Sequence, residues 1–317
     1  MWRGSGPTES DQTAVPVTKV LLTGATGFVG RHVLADLVSQ GILVRTVGRR
    51  PPVDLKSRLV DHVQTNISDD FSAAAEGCDG VVHLAGLADA SASFDRSIEY
   101  AQTNVMGTLR ALEAARRHRA AIVVVSSQRV YRPSVRPLSE ESQLGPIDPY
   151  GETKLQAEEW TDLYGRLYGV RGTVLRLFSV YGPGQVSGQT SGVVSILLRT
   201  AREGTPMRVR ARQLRDFVDV RDVVRAIDLA LKHPPETFRI YNVGTGQATS
   251  IAELGELVRK VVGTTVPLIV DLSPNPESYV ADPRRAAAEL GFQAQIELYD
   301  GLVWYNRHLD ARGFPVD

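Results

Sequence analysis

The sequence predicts a doubly wound α/β fold: a parallel sheet covered by helices on both faces, followed by a smaller C-terminal lobe. Three observations lead there. Short apolar, β-branched runs alternate with amphipathic helical stretches over the first half of the chain. These runs are apolar throughout, as in strands buried on both faces. The first of them ends in a glycine-rich turn that opens a helix.

The elements follow in order. TKVLLTG (18–24) is the first strand, with a helix after it to about Ser39. LVRTVG (43–48), DHVQTNI (61–67) and GVVHLAG (80–86) are the next strands, and a helix from about Thr103 to Arg117 precedes AIVVVSS (121–127). From Tyr150 the helical run YGETKLQAEEWTDLYGRLYG leads to a further strand, GTVLRLFSVYG, after which Gly and Pro density rises. Strand-like RDFVDV and the helix VVRAIDLALKH then resume the pattern. Residues 17–180 with about 216–243 are assigned to the sheet domain, and about 181–215 with 244–317 to the smaller lobe.

Composition narrows the class. With 317 residues, 43% hydrophobic and 23% charged, the chain is globular, neither disordered nor fibrous. Its 36 basic and 36 acidic residues cancel, so no global field draws it to nucleic acid or an anionic membrane. The basic cluster RRHR (116–119) ends a helical run, where cations suit the helix dipole. Cys78 is the only cysteine, which excludes an internal disulfide and any multi-cysteine metal site; no metal is expected, and a reducing cytoplasm fits. Residues 1–16 are polar and lack the apolar core of a signal peptide, so they read as a disordered tail. No apolar run approaches the roughly 20 residues of a membrane span. A soluble, cytoplasmic protein is expected.

TGATGFVG places Gly24, Gly27 and Gly30 at the end of the first strand. Gly24 permits the tight turn, Gly27 lets a pyrophosphate approach the backbone at a helix N-terminus, and Gly30 lets the helix pack on the sheet. A dinucleotide is therefore the expected cofactor. An NAD-binding unit places Asp or Glu about 20 residues beyond this turn, on the ribose 2′-hydroxyl. Gly48-Arg49-Arg50 stands there instead, and guanidinium groups match a 2′-phosphate in charge and geometry. NADP(H) is expected over NAD(H). Ligands in such sheets lie outside the carboxyl ends of the strands, which brings Asn66 and Ile67 to the adenine and Leu84, Ala85 and Gly86 beneath the phosphates and ribose.

Tyr150 and Lys154 lie four residues apart on a helix and share a face. A lysine near a phenol favours the phenolate, so Tyr150 can exchange a proton with a substrate hydroxyl or carbonyl. Ser127, ending a sheet strand, is placed to hydrogen-bond the same oxygen. Together the three form an acid/base and polarising set for hydride transfer.

These stretches, with TNVMGTLRALEAA, VVVSSQRVY, LRLFSVYGPGQ and YNVGTGQATSI, resemble the extended short-chain dehydrogenase/reductases of the nucleotide-sugar epimerase, dehydratase and reductase group. The likeness spans about Lys19 to Ile251, in the family's order. It implies a Rossmann domain for the cofactor and a substrate-binding lobe for a nucleotide-sugar. It makes Tyr150 the acid/base, has Lys154 hold the nicotinamide ribose, and puts Ser127 on the reacting sugar oxygen. Phe28 and Val29 join the cofactor turn, Asn104 stands behind the active site, Phe178 packs near the nicotinamide, and Arg215 belongs to the diphosphate site. A homodimer through the helices near 100–118 and 150–168 is also implied.

Three departures shape the expected reaction. The dehydratase branch has Asp and Glu after the serine, whereas this chain has Gln128 and Arg129, neither a carboxylate acid/base; Gln128 is assigned to substrate binding and dehydration is set aside. Ser179 replaces an asparagine at a diphosphate contact, and residues 266–282 lack the family's arginine clamp, leaving Arg215, with Arg208, Arg210 and Arg212 as supplements or as a solvated basic strand. NADPH-dependent reduction of a C4 keto group on a dTDP-linked deoxysugar is the expected function. The alternatives are a nucleotide-sugar 4-epimerase and a non-catalytic dinucleotide sensor.

Overall fold

The computed structural model describes residues 15–52, 57–185, 192–273 and 278–310. The expected tail, residues 1–16, lies outside them except for Val15 and Pro16, as do parts of the stretches assigned to the smaller lobe.

A seven-stranded parallel sheet forms the centre. Its strands are β1 (Lys19–Thr23), β2 (Leu43–Gly48), β3 (Val60–Gln64), β4 (Gly80–His83), β5 (Ala121–Ser127), β6 (Gly172–Leu177) and the strand Phe238–Val243. Their order in space is Phe238–Val243, β6, β5, β4, β1, β2, β3. The chain runs outward from β1 in one direction and from β4 in the other, so a crevice opens at the carboxyl ends of these neighbours. The fold is the doubly wound, Rossmann-like α/β class.

Helices cover both faces because the strands carry apolar residues on both. Val20, Leu22, Val44 and Val82 pack on α1 (Phe28–Ser39) and the helix Val220–Lys232, while Leu21, Val81, Ile122 and Val124 pack on α3 (Gly107–His118) and α4 (Pro149–Tyr168). A separate apolar cluster joins Leu197 and Leu198 to Val209, Leu254, Val258 and Leu302.

Two expected strands are split. GTVLRLFSVYG leaves the main sheet at Phe178, whose N–H donates to Val243, and resumes as Ser179–Tyr181 paired with Phe217–Asp219. RDFVDV breaks at Asp216, a buried carboxylate that accepts from Thr245 N, Thr245 Oγ1, Gly246 N and Ala281 N. These long-range hydrogen bonds override the local strand propensity. The helix expected from Thr103 begins earlier, as the short α2 (Ser97–Tyr100) and a π-helical turn, Ala101–Met106, that runs directly into α3.

A buried polar network joins β5, β6 and α4. Arg176 and Glu158 meet at 2.6 Å, each side chain 3% exposed. Ser126 donates to Glu158, Arg176 donates to the Tyr131 hydroxyl at 2.8 Å, and that hydroxyl donates to Asn242 at 2.7 Å. Every charge in this apolar setting has its partner, which burial requires.

Candidate active site

The turn after β1 is shaped by close backbone approach. Gly24 takes φ +73°, and a Cβ there would lie 2.6 Å from Ala85 N, while a Cβ on Gly30 would collide with the Gly24 carbonyl. Only glycine fits both places. Gly27 is the N-cap of α1, and no side chain caps the helix there. Its first N–H groups therefore face the crevice, a favourable setting for a pyrophosphate.

A cleft of about 340 Å³ opens outside these strand ends. Gly24, Gly27, Arg49 and Arg50 line it, together with Asn66, Ile67, Leu84, Ala85 and Gly86. Phe28 and Val29 lie outside that lining: Phe28 meets His32 edge-on at 5.9 Å, and Val29 packs on the core. The bare helix terminus, the close glycine backbone and the arginine pair fit a dinucleotide. His62 and Glu99 line the cleft as well. Neither belongs to a motif, and only the pairing of β3 with β2, which sets His62 Nδ1 2.9 Å from Thr46 Oγ1, brings His62 there.

The catalytic candidates come together at the mouth of β5. Ser127 ends β5, and Tyr150 and Lys154 lie in the first turns of α4; all three are at most 9% exposed. Asp148 caps α4, its Oδ1 accepting from Gly151 N at 2.7 Å. Burial holds the Tyr150 phenol above its ordinary pKa, and a hydrogen bond with Ser127 acts in the other direction. Ser127 Oγ also accepts from Arg129 N at 3.2 Å, which leaves its own hydrogen to be donated. The Lys154 ammonium donates to the Val125 carbonyl at 2.9 Å, and burial lowers it to about 8, with Glu158 opposing.

After burial and Ser127, the influences on Tyr150 are Asp148, Arg129 and Tyr100. The Lys154 ammonium, one turn further along α4, is engaged by the β5 backbone. It also approaches the loop after β4, where a Cβ on Gly86 would lie 3.5 Å from its nitrogen.

The remaining candidates lie outside the lining of that cleft. Buried Asn104, in the π-helical turn, bonds both backbone groups of Leu87 and donates to Thr153 at 2.9 Å, joining the loop after β4 to α4. Phe178 is buried beside Tyr131, with ring centroids 6.4 Å apart. Gln128 is buried, donates to Ser179 Oγ at 3.3 Å, and has an Oε1 with no protein partner. The Arg215 guanidinium lies 5.1 Å from the Tyr279 ring centroid. Arg208 and Arg210 are exposed on a strand paired with Leu268–Asp271. Among the described residues, no three His, Cys, Asp or Glu side chains are grouped to hold a metal, and no helix is long and apolar enough to cross a membrane.

A tyrosine and a lysine one helical turn apart, with a serine bonded to the phenol beside a dinucleotide cleft, place the chain among the extended short-chain dehydrogenase/reductases. Its family is narrower than that class. The profile of the NAD dependent epimerase/dehydratase family matches residues 20–244, and the chain belongs to that family. It is 30% identical to the UDP-glucose 4-epimerase of Azospirillum brasilense over 321 residues, covering 93% of this chain and 92% of that one. A putative UDP-glucose 4-epimerase of Methanocaldococcus jannaschii is 30% identical over 294 residues, 89% and 95% of the two chains. Among solved structures, MoeE5 in complex with UDP-glucuronic acid and NAD superposes with a TM-score of 0.84 at 32% identity, covering 92% and 99%. The UDP-glucose 4-epimerase of Thermotoga maritima with UDP-glucose superposes at 0.85 with 27% identity, covering 93% and 99%.

Proposed function

We propose that this chain is a nucleotide-sugar 4-epimerase acting on a UDP-linked hexose. The observation that carries the reading is the Ser127–Tyr150 pair at the end of β5, followed by Gln128 and Arg129 in place of carboxylates. Acid/base chemistry there is limited to one hydroxyl at a time, which suits oxidation and reduction of a single carbinol and not elimination of water. The curated relatives, named as 4-epimerases, favour epimerisation over the net reduction expected from the sequence, and uridine over the dTDP linkage.

Tyr150, as phenolate, takes the proton of the C4 hydroxyl while Ser127 holds that oxygen. A dinucleotide held by the glycine turn and the cleft would supply the redox chemistry, as acceptor and donor of a hydride. Lys154, anchored on Val125, is assigned to hold its ribose. Inversion requires the keto sugar to present its other face before hydride returns, so Tyr150 returns the proton to a rotated ring. Arg215 and Ser179 are assigned to the diphosphate, and Gln128 to the sugar.

A second reading, net NADPH-dependent reduction, is favoured by one observation: Arg49 and Arg50 line the cleft, and no carboxylate ends β2. The experiment is interconversion of UDP-galactose and UDP-glucose, with nicotinamide absorbance recorded alongside. Epimerisation without net cofactor use supports the first reading. Stoichiometric NADPH oxidation with a 4-keto sugar, and no interconversion, replaces it with the second. Arg49→Asp should move cofactor preference toward NAD(H), and equal use of both cofactors by the parent would remove the NADP(H) assignment. We also infer a cytoplasmic homodimer, joined through α3 and α4, whose neighbouring surface carries exposed Met106, Trp160, Leu167 and Tyr168; light scattering measures that mass.

A further inference from the structure

We propose that Arg129 is a positioning residue for the catalytic pair, clamping the Ser127 turn onto the first turn of α4 and setting a positive charge beside Tyr150. The proposal rests on the acid/base reading of Tyr150 given above. Four contacts on different elements carry it. The Arg129 guanidinium donates to Asp148 Oδ2 at 3.2 Å, while the other oxygen of that carboxylate caps α4. The Arg129 backbone N–H donates to Ser127 Oγ. The Arg129 carbonyl lies so close to α4 that any Cβ on Gly151 would collide with it. The guanidinium also lies 5.5 Å from the centroid of the buried Tyr279 ring, against which Arg215 packs too.

Each contact fixes a different degree of freedom. The backbone donor orients the Ser127 hydroxyl, the missing Cβ at Gly151 sets the spacing of turn and helix, and Tyr279 with Asp148 holds the side chain. Asp148 is only 3% exposed in its side chain and Arg129 22%, so water screens the pair weakly. The groups acting on Tyr150 are then Arg129 and Ser127 from the turn, Asp148 at the N-cap of α4 and Tyr100 from α2, with Lys154 one turn further along α4. Among the charges, Asp148 disfavours the phenolate and Arg129 favours it. With Lys154 engaged on Val125, Arg129 takes part of the electrostatic role that the sequence assigned to the lysine.

Arg129→Gln and Arg129→Lys are compared with the parent on UDP-galactose. For Arg129→Gln, kcat should fall by roughly tenfold or more, with KM changed less than about twofold. The ascending limb of its kcat–pH profile should move up by about one unit, because the phenolate loses a counter-charge that favours it. Arg129→Lys, which keeps the charge, should restore most of the rate and the profile. An unmoved profile with unchanged kcat, or a rise confined to KM, overturns the proposal, the latter because it would make Arg129 a substrate contact. A readout independent of turnover is the titration of ¹³Cζ-tyrosine resonances, with Tyr150 assigned through Tyr150→Phe. Its ionisation should move to higher pH in Arg129→Gln, and an unchanged titration in a variant with native near-UV dichroism refutes the role. If the parent turns over no UDP-hexose, the functional reading fails while this titration still decides on Arg129.

Discussion

Replacing Arg176 by Met tests how the buried polar network holds the catalytic strand and helix together. The variant leaves the Glu158 carboxylate, in a side chain 3% exposed, without the guanidinium that met it at 2.6 Å. Coulomb attraction is the wrong measure of the loss, because desolvation of both ions offsets most of it in the intact pair. What counts is the uncompensated charge left inside, about 3–5 kcal/mol. The double variant Arg176→Met/Glu158→Leu removes that charge and should recover at least about half of the loss. Its residual deficit is the hydrogen bonding of Ser126 and Tyr131, about 1 kcal/mol each. Urea unfolding followed by tryptophan fluorescence measures all three, provided the denaturant slope is shared. A single variant within about 1 kcal/mol of the parent, or a double variant less stable than the single, would refute the reasoning.

Other outcomes follow from the same geometry. Tyr150→Phe removes the proton carrier but little volume, so kcat for C4 chemistry should fall by roughly 10²–10⁴ with the melting temperature little changed; near-parent activity would rule Tyr150 out as the proton carrier. Gly30→Ala forces a Cβ against the Gly24 carbonyl and should cost about 1–3 kcal/mol and weaken dinucleotide binding, seen by calorimetric titration. His83 is buried and held neutral, its pKa lowered to about 3 by burial and then by Lys154. The unfolded chain protonates it below its ordinary 6.5. Protonating it inside the fold costs on the order of 4 kcal/mol, so stability is undiminished above pH 6.5 and falls as pH drops toward about 3. A His83→Gln variant should show a shallower acid slope in stability against pH, and an identical slope would rule the histidine out.

The sheet was legible because its strands are apolar on both faces and its turn glycines are conformationally obligatory. LVRTVG and AIVVVSS match β2 and β5 residue for residue. The helix carrying Tyr150 and Lys154 was equally plain. What local reading missed depends on distant partners. GTVLRLFSVYG looks like one strand, but its break at Phe178 is set by Val243, more than sixty residues away. The Gln128-Arg129 pair gave a chiefly negative message in sequence, since the meaning of Arg129 resides in Asp148 and Tyr279. His62 belongs to no motif, so nothing but strand pairing could reveal it. The reaction itself was the least legible: an epimerase and a ketoreductase need the same serine, tyrosine and lysine.

The π-helical turn Ala101–Met106 bears on how this chain tolerates insertion and deletion. Such a turn holds one residue more than an ordinary one, and each helical residue advances the face by about 100°. Deleting a residue here would regularise the helix and even improve its hydrogen bonding. It would also rotate Asn104 away from Leu87, or α3 away from the sheet. The surplus residue acts as an angular shim, reconciling the pitch of α3 with the position that Asn104 must hold. Lineages of this fold should therefore accept substitutions along the segment far more readily than changes in its length.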